Sequence, residues 1–183
     1  MTFFNVKTGN NMKGLMKTSS LALVIFAGLS QSSFADPTQI NINGTVVASA
    51  CTVDNAGAPV QVTLDTLEAT ALATAGESGG WKTFDLKLIN CPATTTVSTA
   101  TFAGTPATAN AKLYANTGTA TNVEVELQNT AGKQLGNGET YAVDVDASTH
   151  EVVYPLQARA YTTAGSVMPG TIIGSVQATF TYQ

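Results

Sequence analysis

The last ten residues, Gly174-Ser175-Val176-Gln177-Ala178-Thr179-Phe180-Thr181-Tyr182-Gln183, alternate without a break. Val176, Ala178, Phe180 and Tyr182 fall on one face; Ser175, Gln177, Thr179 and Thr181 fall on the other. Period-two patterning with β-branched and aromatic residues is that of a half-buried strand. Such a strand either pairs on both sides or lies at a sheet edge, and a bare apolar edge recruits other chains. What covers it is the constraint that the fold must meet. A second alternating stretch, residues 36–46, is a candidate cover, with Thr38, Ile40, Ile42, Gly44 and Val46 on one face. A strand near the N-terminus and a strand at the C-terminus are the elements best placed to be exchanged between molecules.

The first 35 residues read as a targeting segment. Lys7, Lys13 and Lys17 make a basic leader, and residues 21–29 (LALVIFAGL) form an apolar run too short to span a bilayer as a helix. Ser33-Phe34-Ala35 places small residues at the −3 and −1 positions of a cleavage site. Residues 1–35 are therefore expected to be a secretory signal peptide, with translation starting at Met1, Met12 or Met16. Residues 36–183 leave 148 residues for the mature chain, enough for one domain with a real core.

Eight basic residues less the three leader lysines leave five, against twelve acidic ones, a net charge of about −7 with His150 neutral. So acidic a domain is a poor partner for nucleic acid or an anionic membrane, and neither nucleic-acid binding nor membrane insertion is expected. Charged residues are also sparse for a soluble monomer, which points to a surface that meets other protein. The two cysteines, Cys51 and Cys91, lie in the exported part, where an even count reads as one disulfide. Closing a loop of about 40 residues is worth roughly 4 kcal/mol on the chain-entropy argument. A metal centre would need more ligands than two distant cysteines and one histidine, so no metal and no other cofactor is expected.

Helical periodicity is nearly absent after residue 36. Alternating runs recur instead: residues 40–50, then 60–64 with Val60, Val62 and Leu64 in phase, then 81–90 with Phe84, Leu86 and Leu88 opposite Asp85 and Lys87. A weaker run covers 97–102, and further runs cover 123–127, 141–145 and 152–161, the last passing through Pro155. Residues 67–80, rich in Ala, Thr and Gly, read as a loop with room for one helical turn, and Ala131-Gly132 and Asn137-Gly138 read as turns. Roughly seven short strands at this spacing indicate an all-β sandwich of immunoglobulin type.

Chemistry-bearing patterns are few. In Val123-Glu124-Val125-Glu126-Leu127 the carboxylates share a face. A paired acid and base or a calcium site would need that, but the simpler expectation is the solvent side of a sheet. His150, the only histidine, sits in the polar stretch Ser148-Thr149-His150-Glu151 without a nucleophile-elbow pattern, and reads as an exposed loop residue. No phosphate-cradling glycine loop occurs, and Asn43-Gly44-Thr45 reads as a chance match to a glycosylation sequon. No residue is assigned a catalytic role, and the chain is not expected to be an enzyme.

Several motifs then occur together and in order. Asn43-Gly44-Thr45-Val46-Val47 is followed by Cys51, and Cys91 lies in Leu88-Ile89-Asn90-Cys91-Pro92. Gly118-Thr119-Ala120-Thr121-Asn122-Val123 and Pro155-Leu156-Gln157-Ala158-Arg159-Ala160 come next, then Gly170, fourteenth from the C-terminus, and a penultimate Tyr182. Over essentially all of residues 36–183 the chain resembles the chaperone–usher pilins of the type 1 fimbrial family. Trp81 and the short N-terminal extension are most like the small linker subunits of the fimbrial tip; the major rod subunit is the alternative.

The resemblance implies an incomplete immunoglobulin-like sandwich lacking its seventh strand. A donor strand completes it, first from a periplasmic pilus chaperone and then, at an outer-membrane usher, from a neighbouring pilin subunit. Chaperone–pilin complementation is itself a standing example of recognition by strand addition. By the resemblance, residues 36–47 are the donor extension leading into the first strand, with Thr38, Ile40, Ile42, Gly44 and Val46 entering a neighbour's groove, and residues 48–183 are the pilin domain. Val176, Ala178, Phe180 and Tyr182 would line the acceptor groove, Gly170 would lie near the turn into the last strand, and Tyr182 would lie on the surface that a chaperone grips. The product would be a structural subunit exported through the periplasm to a cell-surface fimbria. Rod subunits usually carry more than the eight residues 36–43 ahead of the first domain strand, so donor and first-strand roles overlap here around residues 44–47.

Other classes fit less of the sequence. Tip adhesins of this family carry an extra receptor-binding domain, and 148 residues leave no room for one; a shallow carbohydrate site on the pilin surface is the remaining version. A secreted β-sandwich hydrolase would have to work with His150 alone.

Overall fold

The computed structural model of the chain describes residues 41–46 and 49–183. The expected signal peptide, and Thr38 and Ile40 of the expected donor stretch, lie outside the described residues. The chain divides into two units, Met1–Asn43 and Gly44–Gln183, and the strands belong to the second. They are β1 (Thr52–Val53), β2 (Lys82–Ile89), β3 (Val97–Gly104), β4 (Tyr114–Ala115), β5 (Glu124–Asn129), β6 (Thr140–Asp144), β7 (Val152–Tyr161) and β8 (Val176–Tyr182). All pairings are antiparallel and make two sheets, β1-β2-β7-β5-β4 and β6-β3-β8. Among the described residues the helical content is two 3-10 turns, Asp54–Gly57 and Ala69–Leu72; the second is the turn expected within residues 67–80.

Period two decides what is buried. On β7, Val152, Tyr154, Leu156, Ala158 and Ala160 are buried, while Val153 between them is exposed. On β3, Ser98, Ala100 and Phe102 are buried. The inward faces of the two sheets meet in one core that includes Leu88, Phe102, Tyr114, Leu127, Leu135 and Leu156. Tyr154 ties the layers together: its hydroxyl donates to Ser98 Oγ at 2.8 Å, and its ring lies 5.6 Å from Tyr141 and 5.8 Å from Phe180. Tyr114 donates to the Leu135 carbonyl at 2.9 Å. Burial pushes both phenols up to about 12. Cys51 and Cys91 are disulfide-bonded, which fastens the residue before β1 to the residue two past the end of β2.

Pro155 lies inside β7, between β2 and β5, without breaking the sheet. Its carbonyl accepts from Thr130 at 3.1 Å, one residue beyond the end of β5. The missing N–H of the proline therefore points to where the ladder has run out.

Several expectations change. Residues 60–64 join no ladder, although Val62 and Leu64 are half-buried and Leu64 packs on the core. The described part of residues 40–50 likewise holds no strand. Alternation states which side of a segment is apolar; a strand also needs a neighbour to pair with, and these segments have none among the described residues. The weak run at 97–102 is the centre of the three-stranded sheet, because centrality is set by pairing on both sides and not by side-chain size. His150 is half-buried with φ 56°, and its carbonyl accepts from the Cys91 N–H at 3.0 Å, so it is part of the turn into β7.

The carboxylates of β5 do not face open solvent. Glu126 is 6% exposed and accepts from Arg159 Nε at 2.7 Å and from Gln128 at 2.8 Å. Arg159 stacks over the Trp81 ring at 4.1 Å. Glu124 accepts from both the N–H and the hydroxyl of Thr163. The outer face is covered here by Trp81, just before β2, and by Thr163, just after β7.

Candidate strand-acceptor edge

Among the described residues, β8 ends the three-stranded sheet and pairs on one side only, with β3, from Ser98↔Tyr182 to Gly104↔Val176. At the chain end, Val97 and Gln183 exchange both backbone hydrogen bonds, at 3.0 and 3.1 Å. In an antiparallel ladder, bonded and non-bonded pairs alternate. The N–H and C=O groups of Val176, Ala178, Phe180 and Tyr182 therefore point away from β3. Among the described residues, no backbone hydrogen bond reaches them.

The same four residues turn their side chains toward the core, where they are half-buried and packed against it. Open backbone groups and incompletely covered apolar side chains thus coincide on one edge. The equivalent inward residues of β3, which has neighbours on both sides, are fully buried. An extended segment laid along β8 would satisfy the free backbone groups and finish covering the stripe; full burial of a large apolar side chain is worth roughly 1.5–3 kcal/mol. No residue of β8 carries a charge to oppose this. At the far end of the stripe the Tyr182 hydroxyl accepts from the Cys51 N–H, and burial raises its pKa.

The lead-in to β8 is tied down by its neighbours. Asn116 Oδ1 accepts from the N–H groups of Gly118 and Ile173, at 2.8 and 2.7 Å, while its Nδ2 donates to Ala120 and Thr171. Thr119 and Thr171 each donate an N–H to the other's hydroxyl. Gly170 belongs to this clasp and not to the stripe: a Cβ there would lie 2.3 Å from the Ala120 nitrogen, so only glycine permits the approach. Asn116 is the residue that sequence reasoning missed. It lies just ahead of the Gly118–Val123 motif, and its two-sided amide is the signal.

Of the expected donor residues that are described, Ile42 is 90% exposed and Val46 fully so, and a Cβ added to Gly44 would meet nothing within 4 Å. A surface depression of about 420 Å³ is lined by Asn116, Asn122 and Glu124 among others. Their polar groups are already used, Asn116 in the clasp, Asn122 on Ser166 and Glu124 on Thr163. Among the described residues no cluster of three His, Cys, Asp or Glu could hold a metal, and no helix is long and apolar enough to cross a membrane.

The model of the family described as fimbrial protein matches residues 40–183. The chain belongs to the fimbrial protein family. It is 38% identical over 171 residues to Protein FimG of Escherichia coli (strain K12), covering 93% of this chain and 99% of that protein. Among solved structures, this fimbrial protein is similar to the P pilus rod subunit PapA, with a TM-score of 0.62 and 16% identity, over 74% of this chain and 100% of PapA. It is also similar to a chain of a chaperone–usher pilus solved to explain rod uncoiling, with a TM-score of 0.61 and 21% identity, over 80% and 96% of the two chains. The fold is the incomplete immunoglobulin-like sandwich of such pilins. The fimbrial protein is a structural subunit of a bacterial surface fimbria, where subunits polymerise with their neighbours.

Proposed function

We propose that this fimbrial subunit polymerises by donor-strand exchange, as acceptor along β8 and as donor through residues 36–47. A periplasmic pilus chaperone fills the edge first, and at an outer-membrane usher the extension of another subunit replaces it. The observation that carries this reading is the coincidence on β8 of free backbone groups with the half-buried side chains of Val176, Ala178, Phe180 and Tyr182. The donor stretch has the matching character, with Ile40, Ile42 and Val46 as large residues and Thr38 and Gly44 as small ones on one face. Gly170 shapes the lead-in to the acceptor strand, and Tyr182 lies where a chaperone would hold the end of it. The likeness to FimG, with Trp81 and the short extension, supports a minor linker position over that of the rod. A structural and not a catalytic role is in keeping with the fimbrial family that the chain matches.

The test uses the chain without residues 36–47, exported together with its chaperone and then freed from it. Its thermal unfolding is recorded with and without a synthetic peptide of residues 36–47. A ligand of the folded state at a hundredfold its Kd adds about 2.7 kcal/mol, which for a domain of this size raises the midpoint by roughly 10 °C. A midpoint that neither this peptide nor the extension of any related subunit moves would mean that the sandwich is already closed.

A further inference from the structure

Among the described residues the three-stranded sheet has a second open edge, β6, and it is built differently from β8. Phe102 N–H donates to the Glu139 carbonyl at 2.9 Å and Gly138 N–H donates to the Phe102 carbonyl at 2.7 Å. Alternation then makes Ala100↔Tyr141 and Ser98↔Val143 the bonded pairs. The backbone groups of Thr140, Ala142 and Asp144 consequently point outward. The outward carbonyl of Thr140 is occupied: Lys133 Nζ donates to it.

The placement of Lys133 is fixed by the turn between β5 and β6. Its N–H donates to Asn129 Oδ1 at 2.7 Å, and its carbonyl accepts from the Asn129 N–H at 3.0 Å. Asn129 is itself only 6% exposed, and Gly132 takes φ +88° within the turn. A buried amide and a left-handed glycine thus aim an ammonium group at an edge acceptor. Asp144 puts a charge at the other end of the strand, which leaves Ala142 as the one outward pair without a charge on it or beside it. β8 has four open pairs and no charge. Lysine on an edge is a known obstacle to strand addition, because an incoming strand must desolvate or displace it.

We propose that Lys133 is an edge guard, closing β6 to strand addition so that polymerisation is confined to β8. The inference deepens the donor-strand reading and rests on it for its consequence, though not for its geometry. Without the guard, the occupant of β6 is the β6 of a second copy of this chain. Identical edges are self-complementary about a twofold axis, with Ala142 facing its own copy and Thr140 facing Asp144.

The test compares wild type, Lys133→Met, Lys133→Arg and the double variant Lys133→Met/Ala142→Pro, each as the whole mature chain, by sedimentation over a concentration series. The association constant of Lys133→Met is expected to exceed that of wild type by at least about tenfold. Lys133→Arg, which keeps a donor, is expected to match wild type. The double variant is expected to return to wild type, since proline removes the outward N–H of residue 142 without touching the ladder to β3. If Lys133→Met associates no more than wild type, or if its added association survives Ala142→Pro, the guard does not exist. Whatever β8 does is common to all four proteins, so failure of the acceptor reading appears in the peptide experiment and failure of the guard appears here.

Discussion

Glu126 and Arg159 stand opposite each other on β5 and β7, and each would be costly alone. Their side chains are 8% and 22% exposed, with Trp81 closing over the guanidinium. Removing Arg159 leaves the buried Glu126 carboxylate with the neutral Gln128 amide as a partner and without its counter-charge. Arg159→Met is therefore expected to cost about 3 kcal/mol in urea unfolding, and adding Glu126→Gln to recover most of it. The alternation of residues 123–127 places Glu126 on the outward face correctly. It does not tell that outward is not solvent, because the cover comes from residues distant in sequence. The hint that the sequence does carry is Arg159, a basic residue alone in the run 152–161. Tyr114 and Tyr154 set a second limit, at high pH. In the unfolded chain these phenols ionise near pH 10; in the folded chain they do so at about 12. The folded state holds its protons longer, so stability is level up to about pH 10 and falls from there toward about pH 12. Denaturant midpoints at stepped pH would trace that fall, and Tyr154→Phe would make it shallower.

At the scale of elements, the strands that sequence reads well are those whose apolar and polar residues alternate over most of their length. β2, β7 and β8 lie where their alternation puts them. Residues 60–64 show the same alternation and form no strand, and β3 is central although its inward residues include only Ser98, Ala100 and Phe102. Side-chain pattern and ladder partner are separate facts, and one chain read alone carries only the first. β8 is the element in which the two disagree within the structure itself, since it has the pattern on both faces and a partner on one edge. The face, not the strand as a whole, is then what an added segment reads. Phe180→Ala is expected to cut the peptide-induced rise in midpoint by more than half, for a loss of roughly 1.5–3 kcal/mol of burial. Thr179→Ala, outward and bonded to β3, is expected to leave the rise intact. The rise must be compared and not the bare midpoint, because Phe180 also packs on Tyr154.

At the scale of the whole molecule, the proposed exchange uses different surfaces for donor and acceptor, so the contact between copies is heterologous. Contacts of that kind give open filaments when the rotation between copies does not close, and they give the filament a direction. On the proposed exchange, a subunit lacking residues 36–47 can have its own edge filled but cannot fill the edge of another. It can therefore begin a fibre and cannot extend one. Co-expressed with wild type and carrying a tag, it is expected at one fibre end only, and immunogold labelling would locate it. Label along the shaft would mean that subunits are joined through some surface other than β8 and the extension. The guarded edge at β6 makes the same prediction sharper: with one acceptor edge per subunit, the fibres stay unbranched, and branching would appear first in Lys133→Met.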